Sequence, residues 1–119
     1  MRVPGPLTGG ELNAAITREV VRIHTAALGR GPGKSSSFHN GRVVVTLMQG
    51  AMTQAERSLA ARGEADAVVV MRRAVHRTVR DDLVASLESL TGRRVVAFMS
   101  DNHVEPDLAV EVFVLDRPL

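Results

Sequence analysis

The chain has 119 residues, 45% hydrophobic and 24% charged, with a formal net charge of +2 and no cysteine. That length fits one domain with a core of its own, and the composition excludes a wholly disordered chain, a disulfide scaffold, a thiolate zinc site and a cysteine nucleophile. No run approaches the ~20 apolar residues of a membrane-crossing helix, and the N-terminus lacks the apolar stretch of a signal peptide, so a cytoplasmic protein is expected.

Residues 1–9 read as a flexible lead, with Pro4, Gly5 and Pro6 ahead of any periodic pattern. A single domain is expected over 10–116 and a mobile end over 117–119. Thr8 and Glu11 stand in capping-box spacing, and Leu12, Ile16, Val20, Ile23 and Ala27 then recur as one helical stripe. Gly29 ends that helix. Gly29-Arg30-Gly31-Pro32-Gly33 is a loop, Lys34–His39 a short strand, and Asn40-Gly41 the signal of a type I′ hairpin turn. The strand Arg42–Met48 carries Val43, Val44, Val45 and Leu47, a run that suits burial on both faces, or on one face with an oligomer contact on the other.

Thr53 and Glu56 form a second capping box, opening a helix that runs to about Ala61 and stops at Gly63. From Glu64 a longer helix places Val68, Met71, Val75, Val79, Leu83, Leu87 and Leu90 on one stripe, closed by Gly92. Arg93–Ser100 is a third strand and Asp101–Asp107 a polar loop. In Leu108–Leu115, Leu108, Val110, Val112 and Val114 alternate with Ala109, Glu111, Phe113 and Leu115. The order α-β-β-α-α-β-β predicts an α+β fold, with two hairpins joined in one four-stranded antiparallel sheet and helices packed on one face. The valine-rich strands exceed what one covered face needs, which points to a homodimer.

Four clusters invite chemistry. Gly33-Lys34-Ser35 resembles the end of a phosphate-binding loop, but Leu28 stands where that motif needs glycine, and the loop leads from helix to strand rather than the reverse. A looser anion site remains, with Arg30, Gly31, Gly33 and Lys34 as candidates; the competing reading is a turn shaped by its glycines and proline. Arg72, Arg73, Arg77 and Arg80, with His76, make a basic patch on the long helix. Arg73, Arg77 and Arg80 share one face and are the candidates for docking an acidic partner, weighed against a plain solvated face. Asp81 and Asp82 follow directly and the chain has only three Phe for base stacking, so nucleic acid is not expected.

Asp101, His103, Glu105 and Asp107 could ligate a metal but match no calcium loop, and His24, His39 and His76 are scattered; no metal and no cofactor is expected. Ser35, Ser37 and His39 would share a strand face as solvent-exposed groups without a third, orienting residue. No enzyme activity is expected.

The order of these segments resembles the MpsC-like family of small bacterial proteins. The resemblance rests on the helix ending in Gly29-Arg30-Gly31-Pro32, the nearby Lys34, and a valine strand followed by Gly50 to Leu59 with Thr53, Ala55, Glu56 and Leu59. It continues through the long arginine-bearing helix, Leu90-Thr91-Gly92 before a valine strand, Ser100-Asp101 and the closing Val112-Phe113-Val114-Leu115. It spans about Gly10 to Leu115, with Gly33 as an apparent insertion. It implies association with a Na+-translocating, membrane-potential-generating system linked to inorganic carbon uptake. The implied role is a non-enzymatic accessory or regulatory module, peripheral to the membrane through a transporter subunit. The alternatives are a small-anion sensor using the Gly29–Lys34 loop, or nucleic-acid binding through the arginine helix.

Overall fold

Seven elements follow one another in the computed structural model, which describes residues 7–119. They are α1 (Gly9–Leu28), β1 (Lys34–Asn40), β2 (Val43–Gln49), α2 (Gln54–Ala61), α3 (Ala65–Thr91), β3 (Val95–His103) and β4 (Leu108–Leu115). The expected order α-β-β-α-α-β-β holds. The lead expected over residues 1–9 falls mostly outside the described residues, and Gly9 already belongs to α1. No described helix is long and apolar enough to cross a membrane.

Local chemistry accounts for most boundaries. Thr53 Oγ1 accepts from the Glu56 N–H at 3.2 Å while Glu56 Oε1 accepts from the Thr53 N–H at 2.8 Å, so the second capping box forms. The first does not: Thr8 sits at the N-cap of α1 without a side-chain cap bond. The long helices both end on glycine in the left-handed region, Gly29 at φ 78° and Gly92 at φ 66°, where a side chain would be strained. The hairpin turn differs from the expected type I′. Asn40 pairs with Val43, which leaves Gly41 and Arg42 as the central residues. Only Gly41 has positive φ, at 60°, the pattern of a type II′ turn.

The strands lie in the order β1-β2-β4-β3, all neighbours antiparallel, so the two hairpins join through β2 and β4. Helices α1 and α3 pack against each other, α1 over β1 and α3 over β3, with α2 set against α3. On β4 the inward face is Ala109, Glu111, Phe113 and Leu115. These meet Val44 and Met48 of β2, Leu12, Ile16, Val20 and Ile23 of α1, and Val79, Leu83 and Leu87 of α3 to form the core. Leu119 packs against the same cluster, and its N–H donates to Gly41 O at 3.2 Å.

Three assignments of burial shift. In α1, His24 is buried and Ala27 is exposed. In α3 the inward stripe is Val68, Arg72, His76, Val79, Leu83 and Leu87; Met71 turns outward and Val75 is half-buried. In β1, Ser35, Ser37 and His39 face α1 rather than solvent; Ser37 Oγ receives a hydrogen bond from Thr17 Oγ1 at 2.6 Å, and His39 Nδ1 lies 2.8 Å from Asn13 Oδ1. β3 also reaches His103, so Asp101–His103 are strand residues and the connecting loop shortens to residues 104–107.

Among the described residues, no helix covers the outer sheet face. Phe38 and Met99 are more than half exposed there, beside Val43 and the half-buried Val45 and Val112.

Candidate functional site

A polar row crosses the middle of the inward sheet face. Ser37 stands opposite Thr46, Thr46 opposite Glu111, and Glu111 opposite Ser100, one residue from each strand. Thr46 and Glu111 are completely buried. Ser37 Oγ and Thr46 Oγ1 lie 2.7 Å apart and satisfy each other. A carboxylate in such a row costs several kcal/mol to bury unless something compensates it, and the helices above supply the groups that do.

His24 from α1 and His76 from α3 close over Glu111. His24 Nε2 lies 2.7 Å and His76 Nε2 3.2 Å from Glu111 Oε1. The two imidazole rings stand edge to face, with centroids 5.3 Å apart. His76 Nδ1 is 2.8 Å from Ser100 Oγ. All three side chains are at least nine-tenths buried, and among the described residues neither His76 Nε2 nor Glu111 Oε2 has a hydrogen-bond partner. Burial pushes the Glu111 carboxyl above its ordinary range, opposed by its hydrogen bond to His24. Burial also drives His76 down to about 4, helped by the neighbouring His24 and Arg72, so its imidazole is neutral at physiological pH.

Beside the cluster, α3 and the edge strand β3 bound an open groove of about 370 Å³, lined by Arg73, His76, Arg77, Arg80, Phe98, Met99 and Ser100. Arg73, Arg77 and Arg80 are exposed and lie along one side of it. The Arg80 guanidinium sits 5.5 Å over the Phe98 ring, which holds it against the sheet. Arg72, grouped with them in the sequence, is elsewhere. It is buried and reaches under α2, where Nε and Nη2 donate to the Glu56 carboxylate at 2.5 and 2.8 Å and Nη2 donates to Ala51 O at 2.9 Å. Burial opposes ionisation of Glu56, but the Arg72 and Thr53 hydrogen bonds outweigh it and hold the carboxyl below its ordinary value.

The Gly29–Lys34 loop is tied into the fold. The Arg30 guanidinium donates to Met52 O, and Gly33 N donates to Gln49 O at 3.0 Å. A Cβ on Gly31 would stand 2.9 Å from Thr25 Oγ1. Lys34 is exposed at the end of β1. Two of the donors expected for an anion are thus engaged by backbone carbonyls, and the glycine at 31 serves close packing. In the Asp101–Asp107 segment, Asp107 Oδ2 accepts from Met52 N at 2.9 Å and His103 Nδ1 lies 2.9 Å from Pro106 O.

Among the described residues, the grouping with metal-ligating geometry is His24, His76 and Glu111, whose ligand atoms all lie within 4.8 Å of one another. Sequence spacing could not find it, since the residues sit on three elements. A weak signal was present: Glu111 interrupts the Ala109, Phe113 and Leu115 face of an otherwise apolar strand.

The family model described as "Na+-translocating membrane potential-generating system (MpsC)" matches residues 8–117, nearly the whole chain. No curated protein and no solved structure matches it.

Proposed function

The chain belongs to the MpsC family, described as a Na+-translocating membrane potential-generating system, and we propose that it is a non-enzymatic accessory or regulatory component of such a system. In this reading it is cytoplasmic and docks on a membrane transporter subunit through Arg73, Arg77 and Arg80. The observation that carries it is the family match over residues 8–117. The groove geometry adds support for the surface. Three exposed guanidiniums on one helix face, beside the Phe98 ring, suit an acidic protein segment that also buries apolar side chains.

A homodimer through the outer sheet face is part of the same proposal. Phe38, Val43 and Met99 expose apolar surface on a face without a helix, and pairing two copies would remove it from water.

The test is crosslinking to native membranes with the whole protein as bait. Wild type and Arg62→Glu, a reversal on the exposed end of α2, should capture the same integral membrane subunit. The triple reversal Arg73→Glu/Arg77→Glu/Arg80→Glu should lose it. Capture of soluble proteins or nucleic acid alone, or full capture by the triple variant, would overturn the docking assignment.

A further inference from the structure

We propose that His24, His76 and Glu111 form a buried binding site for a first-row transition cation of the zinc class. The site is independent of the docking surface above.

The donor set is the first argument. Two imidazoles and one carboxylate are a borderline, nitrogen-rich set, which suits Zn2+, Co2+ or Fe2+ and not Mg2+ or Ca2+, which take oxygen cages. The three residues come from α1, α3 and β4, each rigid, so their convergence follows from helix packing and not from a flexible loop.

Proton placement is the second. The Ser100 hydroxyl lies 2.8 Å from His76 Nδ1. When Nδ1–H donates to that oxygen, Nε2 carries a bare lone pair, the arrangement that an outer hydrogen-bond partner gives metal-bound histidines. The lone pair then faces Glu111 Oε1 at 3.2 Å with no hydrogen-bond partner of its own, and Glu111 Oε2 lacks one too. In that tautomer the Nε2 lone pair and Glu111 Oε1 repel one another unless a cation stands between them.

Distance is the third. Donors about 2.0–2.1 Å from a tetrahedral ion stand roughly 3.3 Å from each other. The His76–Glu111 separation of 3.2 Å already matches, and the His24–Glu111 separation of 2.7 Å needs to open by about half an ångström. Three protein ligands leave a fourth position for water or a small anion. His76 and Ser100 also line the arginine groove, which gives the ion a route in from solvent.

The experiment uses the full chain, free of any affinity tag and stripped with a chelator. Zn2+ is titrated by calorimetry and Co2+ by visible absorption. One ion per chain is expected, with ligand-field bands of tetrahedral Co2+ that Zn2+ abolishes, and a higher Tm with Zn2+ but not with Mg2+ or Ca2+. Ser100→Ala should weaken binding roughly 10–100-fold, and His24→Gln, His76→Gln or Glu111→Gln by more; His103→Ala, on an exposed residue, should bind as wild type. Should a ligand variant fail to fold, X-ray absorption of the Zn2+-loaded wild type decides the matter, because two histidine ligands give a distinct imidazole scattering pattern. Absence of saturable binding, binding unaffected in folded His24→Gln and Glu111→Gln, or a spectrum without two imidazoles would overturn the site. Absence of binding would leave a shared proton as what joins Glu111 to the histidines.

Discussion

Replacing Arg72 with methionine tests whether a buried ion pair joins α2 to α3. The substitution keeps a long, unbranched side chain in the pocket and removes every donor that Arg72 gives. Glu56 loses two hydrogen bonds, at 2.5 and 2.8 Å, and Ala51 O loses one at 2.9 Å. The carboxylate, 1% exposed, keeps only its bond from Thr53 N–H among strong partners. Its penalty has a ceiling, because the group can protonate instead. From an ordinary carboxyl value of 4.5, protonation at pH 7 costs about 3.4 kcal/mol. The orphaned Ala51 carbonyl adds about 1 kcal/mol, and the apolar gain of methionine offsets part of that. A net loss of about 3–4 kcal/mol is expected, in line with roughly 3–5 kcal/mol for breaking buried pairs.

Urea unfolding followed by far-UV circular dichroism at pH 7 measures this loss. With a slope of about 1–3 kcal/mol per molar urea, the midpoint should fall by about 2 M. The double variant Arg72→Met/Glu56→Gln should recover about half of the loss, because glutamine carries no charge and still completes the capping box with Thr53. A loss below about 1 kcal/mol, or a double variant no more stable than Arg72→Met, would refute the account of the pair as a charge-compensated tether.

Two further outcomes follow from the same geometry. The Glu56 carboxyl is depressed in the folded state, so the stability contributed by its ionised form is complete above its unfolded value of 4.5 and is lost as pH falls through the lower folded value. Wild type should therefore lose stability steeply below pH 4.5, and Arg72→Met less so, when urea midpoints are compared across that range. Phe38→Glu/Met99→Glu places two charges on the uncovered sheet face. Sedimentation should show dimer for wild type and monomer for this variant, with unchanged circular dichroism; a monomeric wild type at micromolar concentration would remove the homodimer.

The order of the seven elements was legible because its signals are local. Glycines end both long helices, Thr53 and Glu56 stand in capping spacing, and β4 alternates cleanly. The inward face of α3 was harder. Reading arginine and histidine as surface residues drew the stripe through Met71 and Val75, whereas the fold turns Arg72 and His76 inward. The spacing of Val68, Arg72, His76, Val79 and Leu83 is as helical as that of Val68, Met71, Val75, Val79 and Leu83. What decides between them is whether a buried guanidinium or imidazole finds a partner, and the partners, Glu56 for Arg72 and Ser100 for His76, lie on other elements. Pairing of buried polar groups across the fold is a tertiary fact that no local window contains. The hairpin turn failed for a smaller reason: a shift of one residue moves Gly41 from the second to the first central position and changes the turn type.

Two of the residues misplaced by local reasoning, His24 and His76, meet at Glu111. Stability alone does not call for His24, His76 and Glu111 at the centre of the sheet. Buried ionic groups replaced by apolar residues of similar size are often neutral or stabilising by roughly 1–4 kcal/mol. The triple replacement His24→Leu/His76→Leu/Glu111→Met should then fold, and in the presence of a chelator its urea midpoint should equal or exceed that of wild type. Its Tm should no longer respond to Zn2+. A triple variant that folds less stably than chelated wild type by about 3 kcal/mol or more would mean that the cluster is retained for the structure it supports. Equal or greater stability would leave ligand binding as the reason that a carboxylate and two histidines occupy a site where leucine and methionine fit.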